Sequence, residues 1–197
     1  MTETGFPPKQ GLYDPALEHD SCGFGFVADI KGRASHEIVK NALEVLNNLE
    51  HRGATGAEKD TGDGAGILLQ TPHAFLAREC DRLGIRLPAK GQYAAGMVFL
   101  PPDPAGRAEI EGHFAQVIES EGQKLLGFRD LPTDNALLGP TARGSQPVIR
   151  QVFVGRGEAV QDEAHFERKL YVIRRLMEKK VSRSSIRGRS HFYVPSL

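Results

Sequence analysis

The sequence predicts an α+β domain, with a cysteine at the head of one of its strands. Three observations lead there. Alternating or continuous apolar segments are interspersed with segments of helical spacing, without a plain βαβ rhythm. The 197 residues are 40% hydrophobic and 25% charged, the balance of an ordinary globular chain with a sizeable core. Finally, Cys22 opens the run Cys22-Gly23-Phe24-Gly25-Phe26-Val27-Ala28-Asp29, behind a polar leader, residues 1–21, that carries Pro7-Pro8, Gly11 and Asp14-Pro15. Such residues favour extended or turn backbone.

The elements follow in order. Residues 22–30 read as a strand with Phe24, Phe26 and Ala28 on one face and Val27 on the other. Lys31-Gly32-Arg33 is a turn. Ser35 suits an N-cap with Glu37 in the first turn, and Val39, Ala42, Leu43, Leu46 and Leu49 give a helix through Glu50. Two glycine-rich stretches fill residues 51–66. Residues 67–70 (Ile-Leu-Leu-Gln) read as a buried strand, and Thr71-Pro72 starts a helix with Leu76, Cys80 and Leu83 as its stripe. Residues 92–100 form a strand stopped by Pro101-Pro102. Residues 103–121 form a helix burying Ile110, Phe114, Val117 and Ile118. Strands are expected at 125–131 and 148–154, separated by a loop over 132–146. Phe166, Leu170, Ile173 and Met177 mark a last helix, and a strand begins within 190–194 with no evident partner. No repeat, low-complexity tract or clear domain boundary stands out.

Composition excludes several classes. Lys+Arg and Asp+Glu are both 25, so net charge gives no argument for nucleic acid or a membrane surface. Two cysteines, Cys22 and Cys80, are too few for a disulfide framework or a CxxC zinc site. No apolar run nears the roughly 20 residues of a membrane span. The leader lacks the apolar core of a secretory signal. A reducing cytoplasm is the expected location, with neither membrane nor nucleic acid as partner. Residues 168–189 carry nine Lys/Arg against the single acid Glu178, which reads as a solvated helix face plus a basic loop rather than a binding patch.

Cys22 is the chemical centre of the chain. A free thiol, with pKa about 8.5, is only slightly ionised at neutral pH and needs a base. Removal of the leader after Ser21 would put the thiol and a free α-amine on one residue. That amine, with pKa about 7.7–8.0, can take the thiol proton and return it to departing ammonia, so no histidine is needed. Gly23 and Gly25 would let other backbone approach closely. The structural alternative is a buried cysteine at the start of a strand, the commoner fate of a lone cysteine. Cys80, on a helical stripe, reads as packed.

The motifs Gly11-Leu12-Tyr13-Asp14-Pro15, Glu18-His19-Asp20-Ser21-Cys22-Gly23, His51-Arg52-Gly53-Ala54-Thr55-Gly56-Ala57 and Thr61-Gly62-Asp63-Gly64-Ala65-Gly66-Ile67 occur in order. Together they resemble the start of the large subunit in the bacterial glutamate synthase family, a class II glutamine amidotransferase domain of the N-terminal-nucleophile type. The likeness is dense from Gly11 to about Phe75 and returns over 190–197. Phe24 stands where that family often has valine, and Glu58 where aspartate is common. The resemblance implies a four-layer αββα sandwich, incomplete here, with mainly antiparallel strands and helices on the outer faces. It implies residues 1–21 as a propeptide, residues 22–197 as the N-terminal part of the amidotransferase domain, Cys22 as nucleophile and Arg52 near the glutamine pocket. There a planar guanidinium suits a carboxylate or carbonyl oxygens. Locally, Arg52 fits a helix C-terminal cation before Gly53 equally well. Thr61-Gly62-Asp63-Gly64-Ala65-Gly66 lacks the lysine and spacing of a P-loop and reads as a loop feeding a core strand.

For the full-length enzyme the resemblance implies glutamate biosynthesis: glutamine is hydrolysed to glutamate and ammonia, which passes to 2-oxoglutarate. Flavin mononucleotide, an iron–sulfur cluster and NAD(P)H or ferredoxin would serve it. Its partners would be the remaining large-subunit domains and a small electron-donating subunit. None of these cofactors is encoded in this segment. The family's oxyanion hole comes from an Asn-Gly pair, absent here, since Asn41, Asn47, Asn48 and Asn135 precede Ala, Asn, Leu and Ala. Its substrate-clamping arginine and aspartate are likewise expected beyond the equivalent of Leu197. One lost oxyanion donor costs about 10²–10³ in rate, so a truncated fragment close to inactive alone is the expectation. The competing readings are an inert fragment that only binds sister domains, and a class II amidotransferase making another product.

Overall fold

The computed structural model describes residues 8–12, 14, 23–49, 58, 61–62 and 64–197. It divides into two compact units, Met1–Leu68 and Leu69–Leu197, at a point where the sequence carries no compositional break.

In the first unit, residues 23–29 carry no regular secondary structure and lead into a turn at Asp29–Gly32, and helix α1 spans His36–Asn48. Ser35 is its N-cap residue, with extended backbone, but its side chain makes no capping hydrogen bond. The helix is one-sided. Ala42, Val45 and Leu46 are half-buried while Leu43 and Glu44 are exposed. The expected strands at 22–30 and 67–70 do not form among the described residues. Phe24, Phe26 and Leu68 are exposed. Alternation marks which side chains can share a face, but a strand exists only through a paired neighbour, and these segments have none among the described residues.

The second unit is organised by one antiparallel sheet. Helix α2 covers His73–Asp81, strand β1 Tyr93–Leu100, helix α3 Pro104–Ser120 and strand β2 Lys124–Asp130. A short helix α4, Pro140–Gly144, precedes β3 at Val148–Gly155. Helix α5, Glu163–Ser182, is followed by a 3₁₀ turn at Arg189–His191 and by β4 at Tyr193–Ser196. The strand order is β2-β3-β1-β4, every neighbour antiparallel. The strand expected without a partner therefore has one. β4 pairs with β1, with Phe99 opposite Tyr193 and Met97 opposite Ser196. This contact spans nearly a hundred residues, so no local pattern could reveal it.

Both faces of the sheet are covered. Val98, Leu100, Val152 and Val154 point to α3 and α5, whose stripes Ile110, Phe114, Val117, Ile118 and Phe166, Leu170, Ile173, Met177, Val181 are buried against them. Phe114 is fully enclosed, edge-on to Phe128 at 5.9 Å and tilted to Phe192 at 6.1 Å. Each helix starts at an aspartate. The Asp103 carboxylate accepts from Gly106 N at 2.8 Å and that of Asp162 from His165 N at 2.6 Å, caps worth about 1 kcal/mol apiece. On the other face α2 lays Leu76 and Cys80 on Tyr93 and Phe153. Leu83 was expected in that stripe, yet it is exposed. The helix ends at Asp81, the chain turns through Gly84, and Ile85 packs inward instead.

Strand β2 contains a bulge. Leu125 pairs with Val154 and Gly127 with Phe153, leaving Leu126 as the extra residue. A Cβ on Gly127, which has φ +151°, would lie 2.9 Å from Ile85 Cδ1, so the close packing of the loop after α2 requires glycine here. The second unit is thus an α+β body of three layers: the α3–α5 pair, the sheet, and α2. The fourth layer of the expected sandwich does not form among the described residues, because the segments expected to build a second sheet make no ladder there.

Candidate active site

Cys22 and Arg52 lie outside the described residues, as does most of the leader. Between them residues 23–49 are described, and these form a clamp. Asp29, Lys31, Gly32 and Arg33 make a turn of the kind that places aspartate first and glycine fourth. Gly32 N donates to Asp29 O at 2.9 Å. The Asp29 carboxylate accepts from Lys31 N at 2.8 Å, Arg33 N at 3.2 Å and the Arg33 guanidinium at 2.9 Å. The Arg33 hydrogen bonds hold the Asp29 carboxyl below the usual carboxylate range.

The turn sends the chain back along itself as α1. Gly25 meets that helix at Val45, where a Cβ on residue 25 would sit 2.6 Å from Val45 Cγ1. Gly25 lies three positions after Cys22, and Val45 four positions before Leu49, the C-cap. Sequence reading expected Gly25 to admit another stretch of backbone. The group it admits is a valine side chain. The Asp29–Arg33 pair went unread, although an aspartate three places before a glycine is a visible turn signal.

The glycine-rich segment is described only in part. Thr61 N and Oγ1 both donate to Glu58 O, at 3.2 and 3.3 Å, and Thr61 Oγ1 also lies 3.1 Å from Glu58 Oε2. Those bonds make a tight turn, consistent with a structural loop.

In the second unit a cleft of about 740 Å³ lies between the loop after α2 and the end of β2. Its charges are mutually engaged. Arg129 donates to Gln151 Oε1 at 3.0 Å, sits 3.6 Å from Glu79 and stacks 5.6 Å from the Phe75 ring centroid. Arg150 pairs with Glu111 and Asp130 and stacks over Phe128. No nucleophile faces these groups. Cys80 is fully buried, and burial pushes its thiol pKa up, so it is the inert, packed cysteine that its helical stripe suggests. Among the described residues no group of three or more His, Cys, Asp or Glu is gathered as a metal site requires, and no helix is long and apolar enough to cross a membrane.

The motifs in the sequence point to a class II glutamine amidotransferase domain, and the comparisons agree. The family described as class II glutamine amidotransferases matches residues 22–197, a match that begins at the candidate nucleophile. The chain belongs to the class II glutamine amidotransferases. Its relatives there are glutamate synthases. It is 47% identical over 178 residues to the glutamate synthase [NADPH] large chain of Bacillus subtilis (strain 168), covering 90% of this chain and 12% of that protein. It is 44% identical over 196 residues to the glutamate synthase [NADH] of Schizosaccharomyces pombe, covering 97% of this chain and 9% of that one. Against the ferredoxin-dependent glutamate synthase 2 of Synechocystis the identity is 34% over 165 residues, covering 84% of this chain and 10% of that protein. The chain therefore spans about a tenth of the length of the relatives it matches.

Proposed function

We propose that this chain is the glutaminase segment of a glutamate synthase, with Cys22 as nucleophile once residues 1–21 are removed. The observation that carries the reading is the family match beginning at Cys22, joined to high identity with glutamate synthases. The Cys22 thiol loses its proton to the α-amine of the same residue. Its sulfur attacks the side-chain amide carbon of glutamine, forming a C–S bond. The C–N bond then breaks, and ammonia leaves with the proton held by the α-ammonium group. Water attacks the resulting γ-glutamyl thioester, releasing glutamate and restoring the thiol.

The Gly25–Val45 contact, three positions after Cys22 and seven before Arg52, supports a shared site for those two residues. In this reading Arg52 binds the glutamine carboxylate or a carbonyl oxygen. The complete domain is a four-layer αββα sandwich, with the described sheet as one of its two. The chain holds no Asn-Gly dipeptide, so turnover by this segment alone is slow for want of oxyanion donors.

In the longer enzyme, ammonia passes to 2-oxoglutarate for glutamate biosynthesis in the cytoplasm. The relatives' names point to NADPH, NADH or ferredoxin as electron donor, working with flavin and iron–sulfur groups. The described residues of this chain gather no ligand cluster and their one cysteine is enclosed, so they do not fit an iron–sulfur group. No step above passes through that group or a flavin. The partners in this reading are glutamine, the remaining domains and a small electron-donating subunit.

Mass spectrometry of the mature chain tests the reading. A chain beginning at Cys22, alkylated there by an electrophilic glutamine analogue, is expected. Retention of the leader in the active enzyme, or labelling that avoids Cys22, refutes it.

A further inference from the structure

The basic stretch read from sequence as a solvated face has an unexpected composition in three dimensions. The outward side of α5 carries Arg168, Arg175, Lys179 and Arg183, and among them Tyr171 is 59% exposed, with Val172 and Leu176 each 37% exposed. Arg175 pairs with Glu178, but the charges of Arg168, Lys179 and Arg183 have no ion pair among the described residues. Beside this ridge, the outward side of α3 is flat and acidic. Ala108 and Gly112 are exposed beside Glu109 and Glu119. His113 Nε2 lies 3.9 Å from Glu109.

The two helices run antiparallel in one layer. Lys169 Nζ, near the start of α5, donates to Glu121 Oε2 at 2.9 Å, just past the end of α3. Lys180 Nζ, near the end of α5, donates to Gln116 Oε1 at 2.8 Å. The two bonds bracket their relative level. With a rise of about 1.5 Å per residue, the Lys169–Glu121 bond puts Glu119 level with Tyr171 and Glu109 with Val181, and the Lys180–Gln116 bond shifts both about 9 Å further along α5.

We infer that this outer face of the α3–α5 layer is a self-association surface, on which a two-fold axis parallel to the helices seats α5 of one copy on α3 of a second. Such an axis keeps every residue at its own level. It therefore brings Glu119 to the level of Arg175 and Glu109 to that of Arg183, while the Val172–Leu176 ridge meets α3 from Gln116 onward. Each pairing occurs twice, as a self-complementary interface demands. The chain's net charge of zero opposes no such approach between copies.

Sedimentation velocity of the 197-residue chain, across a concentration series at about 0.05 M and about 0.5 M salt, tests the inference. A dimer is expected whose dissociation constant rises about tenfold or more with the added salt. R175E/R183E and E109K/E119K should each weaken it about tenfold or more. The four substitutions combined should restore it, which a merely misfolded variant cannot do. A chain that stays monomeric at every concentration overturns the inference. So does a dimer indifferent to both charge reversals, or one that the combined reversal fails to restore.

Discussion

Replacing Gly25 with alanine tests the clamp between the arm after Cys22 and helix α1. The added Cβ would stand 2.6 Å from Val45 Cγ1, against the 3.4–4 Å of ordinary contact, so roughly an ångström must be found. Valine is stiff at χ1 within a helix, so the arm rather than the side chain has to yield. Overpacking of this size costs about 1–3 kcal/mol. In Val45→Ala the obstructing methyl is gone, and Gly25→Ala should then be nearly free. A double-mutant cycle should therefore show a favourable coupling of about 1–2 kcal/mol. Hydrogen exchange of the α1 amides reads the local opening. Gly25→Ala should speed it by about five- to a hundredfold, and Gly25→Ala/Val45→Ala should recover most of that. Purely additive effects, or Gly25→Ala exchange identical to the parent, would show that the arm does not rest on α1.

Other outcomes follow from the same contacts. Phe114→Ala empties a fully enclosed site between Phe128 and Phe192 and should cost about 3–5 kcal/mol, seen as a lower midpoint in urea. Burial raises both the Cys80 thiol and the Tyr93 phenol above their ordinary 9.0 and 10.0. The folded chain therefore holds those protons more tightly than the unfolded one. The associated stability is fully present below about pH 9 and falls as pH rises further, and Tyr93→Phe should flatten the decline in an alkaline urea series. Cys80 should resist a thiol reagent in the native chain and react on unfolding, as a time course of modification would show. In the complete enzyme, Cys22→Ala should abolish glutamine-dependent glutamate formation and spare the ammonia-dependent reaction; steady-state assays with each nitrogen source decide it.

The sequence carried most of the second unit because periodicity and burial coincide there. The buried stripes of α3 and α5 are those read from spacing alone, and β1, β2 and β3 lie within a residue or so of expectation. Helix α4 was missed because five residues after a proline are too few to show a helical period. The pairing of β4 with β1 was invisible because it is a long-range contact. Leu83 misled because the helix stopped two residues before it. For the candidate site, the reading of Cys22 rests on its chemistry and that of Arg52 on resemblance, and both lie outside the described residues. The Val45 contact that steers the arm depends on a fold-back that spacing does not encode.

The extra residue in β2 has a further effect at the border of the sheet. β2 is an outermost strand, where unpaired amides and carbonyls would invite another chain to extend the ladder. The kink at Leu126–Gly127 bends that rim and interrupts its regular hydrogen-bonding rhythm, so a straight incoming strand finds few consecutive partners. Fibrous growth along this margin is discouraged by the backbone itself, alongside the exposed charges of Lys124 and Asp130 at the strand's two ends.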